Sequence, residues 1–178
     1  MKNSHEIDGW FNYEDLFENL VNKIPDNGIF VEGGAWLGKS SSYLCDLAKD
    51  RINVYIVDAW NYSKKEMEIS YPLAKEMDIY QIFLENMGDR KFTQIRKESI
   101  EASKDFEDES CDVVFIDMDH SYEAVKQDLM HWFPKVKRGG YIAGHDVDWE
   151  GVSRAINEFF PKEKLKKVSQ SCWIFYKE

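Results

Sequence analysis

The feature that most constrains this chain is GIFVE (28–32) running directly into GGAWLGKSSSYLCDLAK (33–49). The first run has the length and apolar character of a buried strand, and Tyr43, Leu44, Leu47 and Ala48 share one helical face in the second. A strand that turns through glycines into a helix must cross back over its own sheet, so the next strand lies parallel to it. The alternation then recurs. INVYIVD (52–58), FTQIR (92–96), CDVVFID (111–117) and YIAGHD (141–146) have strand character. IYQIFLENMG (79–88), YEAVKQDLMHWF (122–133) and GVSRAINEFF (151–160) have helical spacing, the second with Tyr122, Val125, Leu129, Trp132 and Phe133 inward. Residues 12–24 predict an opening helix, Pro25-Asp26-Asn27-Gly28 and Gly139-Gly140 predict turns, and KLKKVSQ followed by SCWIFYK predicts a closing hairpin. The expectation is an α/β fold with a doubly wound, mostly parallel sheet.

At 178 residues, one domain over 1–178 is expected, with residues 1–27 as an N-terminal helical extension. The stretch 60–77 (WNYSKKEMEISYPLAKEM) is polar and poorly periodic, and is read as a substrate loop or lid. Ligands of such sheets bind beyond the carboxyl ends of the strands. Glu32, Asp58, Glu98, Ser99, Asp117, His145 and Asp146 all fall at such ends.

The glycine loop admits several ligands when taken alone. Gly33-x-x-x-x-Gly38-Lys39-Ser40 fits a triphosphate-binding P-loop, with VVFID (113–117) as the strand that would bring Asp117 to Mg²⁺. Gly33-x-Ala35-x-x-Gly38 is a dinucleotide fingerprint with its second glycine replaced. Three features oppose the P-loop. A carboxylate at Glu32 would repel a triphosphate, and Trp36 sits where backbone must wrap a phosphate closely. Asp58 ends the second strand at an offset suited to a ribose diol, for which a P-loop has no use.

Composition narrows the partners. The formal charge of −10 disfavours phosphate backbones and anionic membranes, so neither nucleic acid nor membrane is an expected partner. No apolar stretch approaches the roughly 18 residues that span a bilayer, and MKNSHEIDGW lacks the apolar core of a signal peptide. A cytoplasmic location is the expectation. Cys45, Cys111 and Cys172 are scattered without a CxxC pair, which argues against a disulfide framework or a thiolate zinc site. The expected partner is a small-molecule substrate, and a homo-oligomer is left open.

FIDMDHSYEAVKQDLMHWFPKVKRGGYIAGHD (115–146) follows the pattern FID-x-DHSYE…D…W…K-x-GG…HD. Together with FVEGGAWLGKSSSYL and VYIVDAW, it resembles the class I S-adenosylmethionine-dependent methyltransferases, in particular their small-molecule O-methyltransferase branch, over about residues 28–160. The resemblance implies a Rossmann-like seven-stranded sheet with an antiparallel C-terminal hairpin. It implies O-methylation of a small hydroxylated substrate such as a sugar or a secondary metabolite. Glu32, Gly33, Gly34, Ala35 and Gly38 would shape the methionine pocket, Asp58 and Ala59 would face the ribose, Glu98 and Ser99 would flank adenine, and Asp117 would lie beside the methyl group. Departures from the common form are Gly33, where an aliphatic residue is more usual, and Lys97-Glu98, where Gly-Asp is typical.

The donor's chemistry agrees with these residue types. Acids at the loop suit a sulfonium and an ammonium, and a helix start suits the donor's carboxylate. Transfer to oxygen needs alignment and removal of one proton. His120 and His145, with Asp117, supply candidate catalytic groups, because an unperturbed imidazole titrates at about 6.5. Asp117, His145 and Asp146 are a candidate set for Mg²⁺ or another divalent metal, which would lower the pKa of an acceptor hydroxyl. Asp119 has an alternative role as a cap for the helix near Ser121.

Overall fold

The computed structural model describes residues 2–61, 78–168 and 171–178. Most of the expected lid, residues 62–77, lies outside the described residues. The described elements run α1 (Glu14–Lys23), β1 (Ile29–Gly33), α2 (Lys39–Ala48), β2 (Asn53–Val57), α3 (Ile79–Met87), β3 (Thr93–Ile95) and α4 (Ser99–Ser103). They continue with β4 (Cys111–Ile116), α5 (Tyr122–Trp132), β5 (Val136–Gly144), α6 (Glu150–Phe159), β6 (Lys166–Val168) and β7 (Cys172–Tyr176). The sheet has seven strands in the order β3-β2-β1-β4-β5-β7-β6. All neighbours pair in parallel except at β7, which is antiparallel to both β5 and β6. The α/β architecture and the closing hairpin therefore match the expectation.

Successive strand residues feed opposite faces, as the pleat requires. Phe30, Val113, Phe115 and Cys172 pack with Phe17 and Leu20 of α1, Leu44 of α2 and Phe83 of α3. Val31, Val114, Ile116 and Trp173 pack with Ala102 of α4, Val125, Leu129 and Trp132 of α5, and Ile156 of α6. Each fully buried side chain of this kind contributes roughly 1.5–3 kcal/mol. Tyr122 and Phe133, expected to face inward, are half-buried at the ends of α5.

α1 carries acids in its first turn and Lys23 in its last, in keeping with the helix dipole. It stops at Ile24, whose extended conformation precedes Pro25. Arg51 then donates to the carbonyls of Val21 and Ile24 at the end of the helix, at 2.5 and 2.6 Å.

One expected boundary was misplaced. Gly139-Gly140 does not turn into the fifth strand but lies inside β5, which begins at Val136. Pairing runs Cys111↔Val136 and then Val113↔Tyr141, two steps along β4 against five along β5, so the glycines form a bulge. Gly139 has φ +82°, and a Cβ on Gly140 would stand 2.7 Å from the Asp112 carbonyl oxygen. Glycine chemistry that resembles a turn in sequence thus serves a bulge here.

Candidate active site

Register places the site. Gly33 pairs with Val57 and with Ile116, and Ile116 with Gly144, so β1, β2, β4 and β5 end level with one another. The next residues, Gly34, Asp58, Asp117 and His145, consequently line one edge of the sheet.

The loop from β1 to α2 is shaped by close backbone approach. Gly34 has φ +91°, and a Cβ there would stand 1.8 Å from the Asp117 carbonyl oxygen. A Cβ on Gly33 would meet Met118 Cε at 2.7 Å, so Met118 occupies the space that an aliphatic residue at position 33 would fill. Gly38, with φ +88°, caps α2 against Phe83 and Met87. Asp58 Oδ2 accepts the N–H groups of Ala35 and Trp36 at 2.9 and 3.1 Å, and Oδ1 accepts that of Trp60 at 2.7 Å. Asp58 thus organises the loop, a task beyond the ribose contact expected of it. Ala59 joins it to Trp60, whose indole N–H donates to the Trp36 carbonyl at 3.0 Å.

Glu32 points beneath the loop and is 1% exposed. Ser41 Oγ donates to its Oε2 at 2.6 Å, while Oε1 has no hydrogen-bond partner among the described residues. Burial pushes its carboxyl up to about 7, partly offset by Ser40 and Ser41, with the charges of Asp117 and Asp58 adding to the rise. A buried, half-satisfied acid below a glycine loop fits a ligand that brings a cationic donor, and does not fit a phosphate.

At the ends of β4 and β5 three groups converge. His120 Nε2 lies 2.8 Å from Asp146 Oδ2 and 3.5 Å from Asp117 Oδ1. Among the described residues, Asp117, His120 and Asp146 are the group of three with ligand atoms all within 4.8 Å of one another. His145 was expected in that set. Its Nδ1 instead faces Asp146 Oδ1 at 3.3 Å, and its ring lies against Tyr13 with centroids 4.8 Å apart. The geometry puts His120 where sequence reasoning put His145.

Burial alone would lower the His120 pKa, but bonds to Asp117 and Asp146 and their charges push it up to about 10. His120 is therefore a cation at neutral pH rather than the free base expected of an unperturbed imidazole. Burial would raise the Asp146 carboxyl, yet His120 and His145 hold it well below the usual range. Asp119 accepts the Ser121 N–H at 2.7 Å and so takes the local structural role at the start of α5. Glu98 is exposed, whereas Ser99 is half-buried and bonded to α5.

Two further residues reach this site. Tyr13, buried in the N-terminal extension, donates from its hydroxyl to Asp117 Oδ2 at 3.2 Å. Burial, then the charges of Asp117 and Glu32, raise its pKa well above that of a free phenol, so it stays a donor. Trp149 lies against His120 with ring centroids 5.0 Å apart and planes tilted by 38°, and is 58% exposed. Sequence reasoning had no signal for Tyr13, which reads as one more apolar residue of the opening helix.

The sequence model of the methyltransferase-domain family matches residues 31–147, the segment that holds the loop and the three converging groups. Among solved structures, the O-methyltransferase NovP aligns at 16% identity over 92% of this chain and 78% of its own, with a TM-score of 0.61. CalS11, described as a TDP-rhamnose 3'-O-methyltransferase, aligns at 13% identity over 92% and 76%, with a TM-score of 0.59. A Corynebacterium glutamicum protein aligns at 12% identity over 97% and 84%, with a TM-score of 0.67. At these identities the likeness speaks to fold. No curated protein matches the sequence.

Proposed function

Because the chain belongs to the methyltransferase-domain family of S-adenosylmethionine-dependent enzymes, we propose that it moves the donor's methyl group to a hydroxyl oxygen of a small molecule. Family membership leaves Lys39 and Ser40 as first-turn residues of α2 rather than a triphosphate cradle. The observation that supports the oxygen-directed reading is the convergence of Asp117, His120 and Asp146 beside the glycine loop. When bound, the donor supplies a methyl group on a sulfonium, open to in-line attack.

The chain's residues have distinct tasks. Gly34 and Gly38 let the loop pass close to the end of β4, and Asp58 holds its backbone N–H groups. Glu32, Asp58 and Asp117 put negative charge at three adjacent strand ends, which favours a cationic donor. Asp117 lies between Tyr13 on Oδ2 and His120 on Oδ1, so its carboxylate is held from both sides. His120 already carries a proton, and a carboxylate oxygen of Asp117 is the group that receives one from an acceptor hydroxyl. His120 then steadies the charge on Asp117 and Asp146.

The same atoms suit a divalent cation. Asp117, His120 and Asp146 would hold it, with His120 deprotonated, and it would lower the pKa of a bound hydroxyl. The exposed Trp149 indole beside His120 offers a flat apolar surface for the acceptor.

Mass-spectrometric detection of methylated products tests the proposal, using catechol, flavonoid and methyl-glycoside acceptors with and without Mg²⁺. Wild type is expected to form product. His120→Ala and Asp117→Ala are expected to lose roughly 100-fold or more in kcat. Equal turnover in all three would remove the roles given to these residues. Donor binding with no turnover on any acceptor would favour a non-catalytic binding module.

A further inference from the structure

Asp128 lies on the inward face of α5, 4% exposed, in a helix whose other buried residues are Val125, Leu129 and Trp132. A carboxyl group in such surroundings is expensive unless bonded. Burial pushes it up to about 7, and its bond to Ser99 acts in the opposite direction. Ser99 is the first residue of α4. Its hydroxyl donates to Asp128 Oδ1 and accepts the Trp132 indole N–H at 2.9 Å. Both partners sit one turn apart on α5, so a single helix face grips one hydroxyl.

That hydroxyl anchors a segment adjoining the donor loop. Ile95, the last residue of β3, accepts the Asp58 N–H at 3.2 Å, and residues 96–98 lead from it to Ser99. The other side-chain ties of this segment are at the surface. Arg96 lies 4.1 Å from the centroid of the Tyr80 ring, and Lys97 pairs with Asp105 at 2.5 Å with both partly exposed. Exposed pairs of this kind contribute little. The buried Asp128–Ser99–Trp132 contact is thus the principal fixed point of residues 96–99.

We propose that Asp128 is a positioning residue for the adenosine end of the donor, acting through Ser99 to hold residues 96–99 beside Asp58. This rests on the S-adenosylmethionine reading above. Asp128 does not itself touch the ligand, and its effect reaches adenosine only through the segment that Ser99 starts.

Calorimetric binding of two probes tests it: S-adenosylhomocysteine, and 5′-methylthioadenosine, which lacks the amino-acid end. Wild type, Asp128→Ala, Ser99→Ala and the double variant are compared, with thermal unfolding of each. Each single variant is expected to bind S-adenosylhomocysteine about 10-fold more weakly, a magnitude typical of one hydrogen bond to a charged group. The double variant is expected to lose no more than the larger single loss, because both changes break one anchor. The same factor is expected for 5′-methylthioadenosine. Single variants that bind like wild type, losses that multiply in the double variant, or a loss confined to S-adenosylhomocysteine would each overturn the inference. If Asp128→Ala fails to fold, Ser99→Ala alone carries the two-probe comparison. A wild type that binds neither probe would overturn the donor reading itself.

Discussion

Glu32 shows how one residue can oppose stability and serve a site. Its carboxyl is raised to about 7 in the fold against a reference value of 4.5, first by burial. A group whose folded pKa is raised contributes stability that is complete below the unfolded value and is lost as pH rises through the folded one. Between pH 5 and 8 the wild type is therefore expected to lose stability through this residue. Glu32→Gln removes that dependence. Its stability relative to wild type, read from urea unfolding, is expected to rise by on the order of 2–3 kcal/mol across the window. The same variant is expected to bind S-adenosylmethionine more weakly, having lost its negative charge. A flat difference from pH 5 to 8 would mean that Glu32 is not buried as described. This residue was legible in the sequence because the strand pattern set it at a carboxyl end. Asp128 entered the sequence reading only as the acid of the DHSYE…D…W pattern, with no role, although it stands at the i+3 position from Val125 and the i−4 position from Trp132, on the inward stripe of α5. An acid on an apolar stripe was the available signal.

At the scale of elements, periodicity read β1, β2, β4 and the longer helices well, because these strands are short and apolar and these helices have one apolar face. What it missed depends on contacts between distant segments. The β5 bulge is one case, since only pairing with β4 reveals that Gly139 and Gly140 are inside a strand. The replacement of His145 by His120 in the converging group is another, since it turns on side-chain direction at two loop ends. Helix α3 is a third. Its carboxyl end is held by Arg90, which donates to the carbonyls of Asn86 and Met87 at 3.2 and 3.3 Å. The same side chain, 4% exposed, donates to Lys2 O at 2.9 Å and twice to Asp46 at 2.8 Å. Arg90→Ala removes these bonds together and is expected to destabilise by about 2–4 kcal/mol in denaturant titrations. A loss under about 0.5 kcal/mol would show that the network is only a surface ornament to α3.

For the whole molecule, the strand order and the family match together explain why the acids lie where they do. β1 lies between β2 and β4 in the sheet, and its loop is flanked by the ends of those two strands. Glu32, Asp58 and Asp117 are thereby drawn from three separate stretches of sequence to one edge. Under the function proposed above, these buried and half-buried carboxylates face a cationic donor, whereas a triphosphate would meet repulsion from them. The N-terminal extension joins the same edge through Tyr13, outside the segment that the family model covers. Calorimetric titration of the wild-type protein with S-adenosylhomocysteine, run beside ATP–Mg²⁺, tests this account most directly. Saturable binding of S-adenosylhomocysteine at one site per chain, with none of ATP–Mg²⁺, is the expected result. Tight binding of ATP–Mg²⁺ with none of S-adenosylhomocysteine would contradict it.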